Sequence, residues 1–194
     1  MHRTDKKTLL AKLESQVETH LQLSISNFQN QPNHILLQTA SNGGWSIAQC
    51  IEHLNSYGRY YLPQIEKALA NYVEVSSNTG FRSSWLGAYF TRMMLPTNTK
   101  KYKAFKGHIP AVNLDAHAVI AEFIEQQETL LRYLQQAQEV DLDKIRVPIS
   151  LTKWIKLKLG DTFQFMIAHD QRHLEQAQRN LPANTSNNHL QTLA

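Results

Sequence analysis

Two histidines four residues apart, His169 and His173, are the strongest chemical signal in this sequence. They lie in an apolar-periodic segment, residues 163–181, whose pattern predicts an α-helix. On a helix this spacing stacks two side chains one turn apart, so both imidazoles can reach one metal ion. Histidine is the commonest metal ligand in proteins. A chain with 9 His among 194 residues contains roughly 0.4 such pairs by chance, so a metal site needs a third ligand.

His53 is the candidate for this third ligand. On a helix that turns about 100° per residue, His53 flanks the apolar stripe that contains Ile47 and Leu54. His169 and His173 flank the stripe of the last helix in the same way. Two such helices packed side by side would bring the three imidazoles together. Three neutral nitrogens are what a catalytic zinc site supplies, with a fourth position open. Three unrelated histidines of the core or the surface are the alternative.

Two side chains next to these histidines have a structural and a functional interpretation. Asp170 falls within the apolar stripe and could orient a ligand imidazole, or pair with Arg172 or another helix; a structural hydrogen bond is favoured over catalysis. Cys50 lies one turn before His53 and could be a fourth ligand. Its position opposite Trp45 at the helix start favours a buried structural thiol.

Two tyrosines follow His53 by one and two helical turns, Tyr57 and Tyr61. Either hydroxyl could donate a hydrogen bond to a bound substrate. Aromatic packing in the core is the default interpretation, because both residues belong to the apolar stripe of their helix.

The composition is typical of a soluble globular protein, with 42% apolar and 19% charged residues. The length predicts a single domain, placed at residues 1–182, followed by a polar tail at 183–194. One cysteine excludes an intrachain disulfide. Together with a start that lacks the apolar run of an export signal, this predicts a cytoplasmic location. No run is long enough to span a bilayer, so no membrane association is expected.

The net charge of 20 − 16 = +4 is concentrated in two lysine clusters. The clusters are Lys100, Lys101, Lys103 and Lys106, and Lys153, Lys156 and Lys158. Such clusters could attract anionic substrates, phosphates or nucleic acid. Solvated basic loops are the simpler interpretation, since no nucleic-acid-binding motif accompanies them.

Apolar periodicity predicts a chain of helices. The first covers residues 4–28, with Thr4 or Asp5 as its cap, and the second begins at the capping box of Ser46 and Gln49 and continues to residue 69. A shorter helix is expected at 81–95, a fourth helical pattern at 115–138, and the last helix starts at Asp161 after Gly160. Pro63 should kink or bend the second helix.

The connections are predicted to be irregular. Residues 29–44 form a loop, residues 97–113 form a basic connection over the bundle, and residues 147–159 form a second connection with a short helix around Trp154. No alternation argues for a sheet. The fold class is therefore all-α, a four-helix bundle with long crossover connections.

Two stretches resemble the signatures of the DinB-like superfamily. Residues 44–54, Gly-Trp-Ser-Ile-Ala-Gln-Cys-Ile-Glu-His-Leu, resemble its first signature, and residues 169–176, His-Asp-Gln-Arg-His-Leu-Glu-Gln, resemble its second. The likeness covers nearly the whole chain in order and spacing. It implies a four-helix bundle, frequently a homodimer, that binds a divalent metal, often zinc or nickel, through His53, His169 and His173.

The resemblance also implies candidate functions, because relatives include thiol-dependent transferases and isomerases. The first hypothesis is a metal-dependent enzyme, a thiol-dependent S-transferase or a hydrolase, acting on a small molecule and using a low-molecular-weight thiol in the transferase case. The second is a non-catalytic metal-binding or stress-response protein. Nucleic-acid binding depends only on the lysine clusters and is the weakest of the three hypotheses.

Overall fold

The structure, a computed structural model, describes residues 3–72, 79–100 and 102–182. This part is mostly helical, as predicted. The helices are α1 (Lys6–Asn27), α2 (Asn33–Leu37), α3 (Ile47–Ala70), α4 (Trp85–Met94), α5 (Ala116–Gln136) and α6 (Leu159–Gln178). Short strands pair antiparallel, β1 (Thr4–Asp5) with β2 (Gly80–Phe81) and β3 (Arg146–Ile149) with β4 (Thr152–Lys158).

Side-chain caps set the starts of three long helices. Asp5 accepts a hydrogen bond from the Thr8 amide at 2.8 Å at the start of α1, so Asp5 rather than Thr4 is the cap. Ser46 and Gln49 form the predicted capping box of α3. Asp115 caps α5. These caps satisfy backbone N–H groups that have no partner within the helix, which explains why local sequence located the starts well.

The start of the last helix was predicted wrongly. Helix α6 begins at Leu159, so Asp161 lies in its first turn instead of capping it. The Asp161 side chain is fully buried and accepts hydrogen bonds from the backbone N–H and the hydroxyl of Ser84, at 3.0 and 2.7 Å. The carboxylate therefore joins α6 to the start of α4, a long-range contact that the local pattern could not reveal.

Four long helices pack against one another: α3 contacts α5 and α6, and α1 also contacts α5 and α6. Their apolar stripes form two clusters of buried side chains. The larger contains Tyr61, Ile65, Leu130 and Phe163; the smaller contains Phe28, Ile47, Ile51, Phe123 and Leu174. Burying apolar surface at about 25 cal/mol per Å² is the dominant favourable term that holds these helices together.

Residues 147–159 are not the irregular connection that the sequence predicted. Strands β3 and β4 form a hairpin, and Trp154 lies in β4 rather than in a short helix. Val147 pairs with Leu157, and both are buried. The absence of a sheet was also predicted wrongly. Strand β3 has only four residues, and β4 exposes four consecutive residues, 153–156, so buried and exposed positions do not alternate over the hairpin.

The other connections differ less from expectation. Helix α2 lies within the predicted loop 29–44, and α3 continues through Pro63 to Ala70. The connection at 97–113 is irregular as predicted, with one 3₁₀ turn at Lys106–His108. The predicted tail at 183–194 lies outside the described residues, and the single domain at 1–182 stays a prediction. Within the described chain, no helix has the length and apolar character needed to cross a bilayer.

Candidate metal centre

Three histidines from two helices converge where α3 packs on α6. His53 lies in the second turn of α3, and His169 and His173 lie one turn apart on α6. One ring nitrogen of each residue lies within 4.8 Å of the other two. The Nε2 atoms of His53 and His169 are 3.2 Å apart. His53 and His169 are each 3% exposed, whereas His173 is half-buried, so the cluster meets solvent on the side of His173.

Hydrogen bonds determine which nitrogen of His53 and His173 faces the cluster. His53 Nδ1–H donates to the main-chain carbonyl of His108 at 2.6 Å, and a carbonyl oxygen can only accept. His173 Nδ1 lies 3.0 Å from the side-chain oxygen of Gln176, which accepts in the same way. In the neutral rings, both Nε2 atoms therefore carry lone pairs, the form that binds metals.

Burial keeps all three imidazoles neutral. Desolvation lowers the pKa of His53 to about 4 and the pKa of His173 to about 3. The pKa of His169 falls well below its ordinary value, first through desolvation and then through the neighbouring His173 and His53. The cause is that a low-dielectric environment disfavours the charged imidazolium. At neutral pH, three uncharged nitrogen donors are thus ready to accept a cation.

Aromatic rings pack against the cluster. Trp45, which precedes the cap of α3, lies 4.9 Å from the His53 ring and 5.9 Å from the His173 ring. Tyr57 packs edge-on against His169 at 4.5 Å, and Phe165 lies 5.8 Å from His169. The sequence predicted that Trp45 packs against Cys50 and that Tyr57 lies in the core-facing stripe, and the structure places both rings against the histidines.

The sequence of this chain matches a known protein family over most of its length. The model of the DinB superfamily matches residues 8–177, a span that runs from α1 through α6 and includes all three histidines. The chain belongs to the DinB superfamily. Neither a curated protein nor a solved structure matches the chain.

Asp170 follows the ligand candidate His169 in this DinB superfamily member, and its side chain contacts another helix. Its carboxylate accepts a hydrogen bond from the side-chain N–H of Gln127 on α5, at 3.1 Å. Burial raises the pKa of Asp170 to about 7, although the bond from Gln127 opposes the shift. The sequence left a ligand imidazole, Arg172 and another helix open as partners of Asp170, and the structure shows a hydrogen bond to another helix. Arg172 instead donates to main-chain carbonyls, those of Asn98 and Lys100, at 2.7 and 2.8 Å.

Cys50 and Tyr61 lie away from the three converging nitrogens. Cys50 is fully buried in the apolar cluster that also includes Trp45, and burial raises the pKa of its thiol to about 12. Tyr61 is 2% exposed, and its hydroxyl accepts a hydrogen bond from the Ser150 amide at 3.2 Å. Tyr57, in contrast, touches the site, and burial raises the pKa of its phenol to about 12.

The 97–113 loop passes over the histidines, and its contacts were not predicted. Arg172 holds its beginning, and His108 holds its middle against His53 and Tyr57. Of its lysines, Lys100, Lys103 and Lys106 are exposed, and Lys101 lies outside the described residues. Sequence reasoning missed His108 because an isolated histidine has no spacing partner. The one available signal was its position between Gly107 and Pro110 in a basic connection.

Proposed function

We propose that His53, His169 and His173 bind one divalent metal ion, zinc or nickel. The observation that carries this proposal is the convergence of three ring nitrogens within 4.8 Å of one another, from two buried histidines and one half-buried histidine. Imidazole nitrogens suit zinc and nickel, and three protein ligands match the number found in catalytic zinc sites.

The short distance between two of the nitrogens supports this proposal. His53 Nε2 carries a lone pair, because its Nδ1–H is donated to a carbonyl. His169 Nε2 lies only 3.2 Å away. Two lone pairs facing each other would repel, so this space holds either a proton on His169 Nε2 or a cation shared by the rings. A metal ion satisfies all three histidines, whereas one proton satisfies two of them.

The fold proposal follows from the same helices. We propose that α1, α3, α5 and α6 are the four helices of a DinB-type bundle, with the connections between them as crossovers. Their pairwise contacts support this assignment. The role of the bundle would be to hold His53 on α3 against His169 and His173 on α6, so that the ligands are oriented before the metal arrives.

The proposed activity is metal-dependent transfer or hydrolysis on an anionic small molecule. When bound, the ion would supply positive charge that lowers the pKa of a water or a thiol in its fourth position. The rings of Trp45, Tyr57 and Phe165 line one side of the site, and a low-dielectric lining of this kind strengthens electrostatic interactions. Exposed Lys103 and Lys106 on the loop over the site would attract the anion. Thiol-dependent S-transfer is preferred over hydrolysis because the family resemblance supports it.

We also propose that the chain acts as a cytoplasmic homodimer. The single cysteine supports the location. Exposed apolar side chains, Trp85 at 73% and Trp154 at 95%, supply surface that a second copy would cover.

Metal analysis of protein purified without a histidine tag tests the metal proposal. We expect one equivalent of metal in the wild type, and a large loss of affinity when His53, His169 or His173 is replaced by alanine. His117→Ala is the matched control, because His117 is exposed on α5 and lies outside the cluster. If the triple alanine variant keeps stoichiometric metal, the site lies elsewhere.

Cobalt spectroscopy tests the thiol-dependent transferase proposal. With cobalt bound, low-molecular-weight thiols should produce a sulfur-to-metal charge-transfer band. No band after thiol addition would contradict the transferase proposal. A band that is present before addition and lost in Cys50→Ser would mean that Cys50 closes the site. The buried, high-pKa thiol of Cys50 predicts that no such band exists beforehand.

A further inference from the structure

His108 is a buried histidine in a loop whose other side chains mostly face solvent. It is 9% exposed, whereas its neighbours Phe105 and Ile109 are 51% and 57% exposed. The 3₁₀ turn at Lys106–His108 directs this one ring inward. Its contacts are with the helix that carries His53, so the loop meets the candidate metal site through His108.

Three hydrogen bonds connect His108 and His53 in both directions. The His53 ring donates from Nδ1 to the His108 carbonyl at 2.6 Å. The Ser56 hydroxyl donates to the His53 carbonyl at 2.6 Å. Because that bond uses the only hydroxyl hydrogen of Ser56, the 2.9 Å contact between His108 Nδ1 and Ser56 Oγ requires Nδ1–H of His108 as the donor. The directions of all three bonds are therefore determined.

Ring stacking completes the attachment of His108. Its ring lies 3.9 Å from the Tyr57 ring, with an angle of 25° between the planes. Tyr57 in turn packs edge-on against His169 at 4.5 Å and against His53 at 5.1 Å. His108 is thus held by Ser56 and Tyr57, and its carbonyl is the group that receives the His53 N–H.

We propose that His108 is a positioning residue of the metal site. Its carbonyl orients the His53 ring and selects the tautomer with a free Nε2, and its side chain, bonded to Ser56 and stacked on Tyr57, holds that carbonyl in place. The inference depends on the proposed metal function. Partners of this kind orient metal-bound histidines and increase their basicity. Since the same hydrogen bond belongs to the loop and to the ligand, metal binding and loop docking stabilise each other.

Three single variants and one double variant test this role through metal affinity, measured by competition with a chromophoric zinc chelator. His108→Ala removes the bond to Ser56 and should weaken zinc binding on the order of 10- to 100-fold. His108→Asn keeps an N–H donor close to the place of Nδ1 and should recover most of the affinity. Ser56→Ala should resemble His108→Ala, and the double variant should be no weaker than either single variant, because both changes break one connection. Ile109→Ala is the matched control on the exposed side of the loop.

A second readout follows the loop itself. In the wild type, removing zinc should speed amide hydrogen exchange in residues 102–112, whereas in His108→Ala exchange should be fast with and without zinc. Circular dichroism of the metal-free variants checks folding. If His108→Ala does not fold, the contrast between Ser56→Ala and His108→Asn decides.

The outcomes separate this inference from the metal proposal. A wild type that binds no metal overturns both. In a second case the wild type binds zinc, and His108→Ala or Ser56→Ala binds it equally well, with unchanged zinc-dependent amide exchange. This result overturns the positioning role alone. Equal losses in His108→Asn and His108→Ala also overturn it, because the hydrogen bond would then not be the cause.

Discussion

Replacing Asp170 with asparagine should make the metal-free protein more stable at high pH and leave it unchanged at low pH. Asp170 is 7% exposed, and its one described hydrogen bond comes from the neutral side chain of Gln127. Burial raises its pKa from 3.8 to about 7. Asparagine has nearly the same shape and can accept the same bond, so the substitution removes the charge and little else.

The magnitude follows from the pKa shift. A rise from 3.8 to about 7 is about 3 units, and each unit corresponds to about 1.36 kcal/mol between the two protonation states, so the full penalty is about 4 kcal/mol. The folded state binds the proton more tightly than the unfolded state. The stability of the wild type therefore falls as pH rises from about 3.8 to 7, and the penalty is complete above 7. Asp170→Asn should show none of this dependence.

Urea unfolding in the presence of a chelator, at pH 4, 6 and 8, measures the difference between wild type and variant. We expect nearly equal free energies of unfolding at pH 4 and a variant that is more stable by roughly 2–4 kcal/mol at pH 8. Gln127→Leu is a useful comparison, because it removes the hydrogen bond that opposes the rise in the pKa of Asp170. The free energy of unfolding should then fall more steeply with pH than in the wild type. Parallel pH curves for wild type and Asp170→Asn would refute the reasoning.

Three other predictions concern the metal, the helix contact and the assembly. Chelation should lower the melting temperature by about 5–10 °C without loss of helicity. The reason is that metal at 100 times its Kd adds about 2.7 kcal/mol to the free energy of unfolding. An unchanged melting curve after verified metal loss would contradict this prediction. Gly87→Ala should destabilise by roughly 1–3 kcal/mol in chemical unfolding, because its Cβ would lie 2.0 Å from Cγ of Asp161; Gly107→Ala, which meets no atom within 4 Å, is the control. Trp154→Ser should shift the protein from dimer to monomer in light scattering, and an unchanged mass would place any interface elsewhere.

Local rules explain where three of the long helices begin and why two of the three ligand candidates lie together. The caps at Asp5, Ser46 and Asp115 act within one turn, so the chain itself specifies where these helices begin. The pairing of His169 with His173 depends only on 3.6 residues per turn. Any helix over this segment presents both rings on one side, whatever packs against it.

Tertiary structure decided the contacts between residues that are far apart in the sequence. His53 meets His169 across 116 residues of sequence only because α3 and α6 pack together. Asp161 looked like a cap but its side chain is buried against Ser84, and β4 exposes four consecutive residues, so the β3–β4 hairpin shows no regular alternation. Beyond its place between Gly107 and Pro110, the sequence gives no sign of the role of His108, because that role depends on a main-chain carbonyl, a group that every residue possesses. Which carbonyl reaches His53 is determined by the path of the loop across the bundle, through contacts with Arg172, Ser56 and Tyr57.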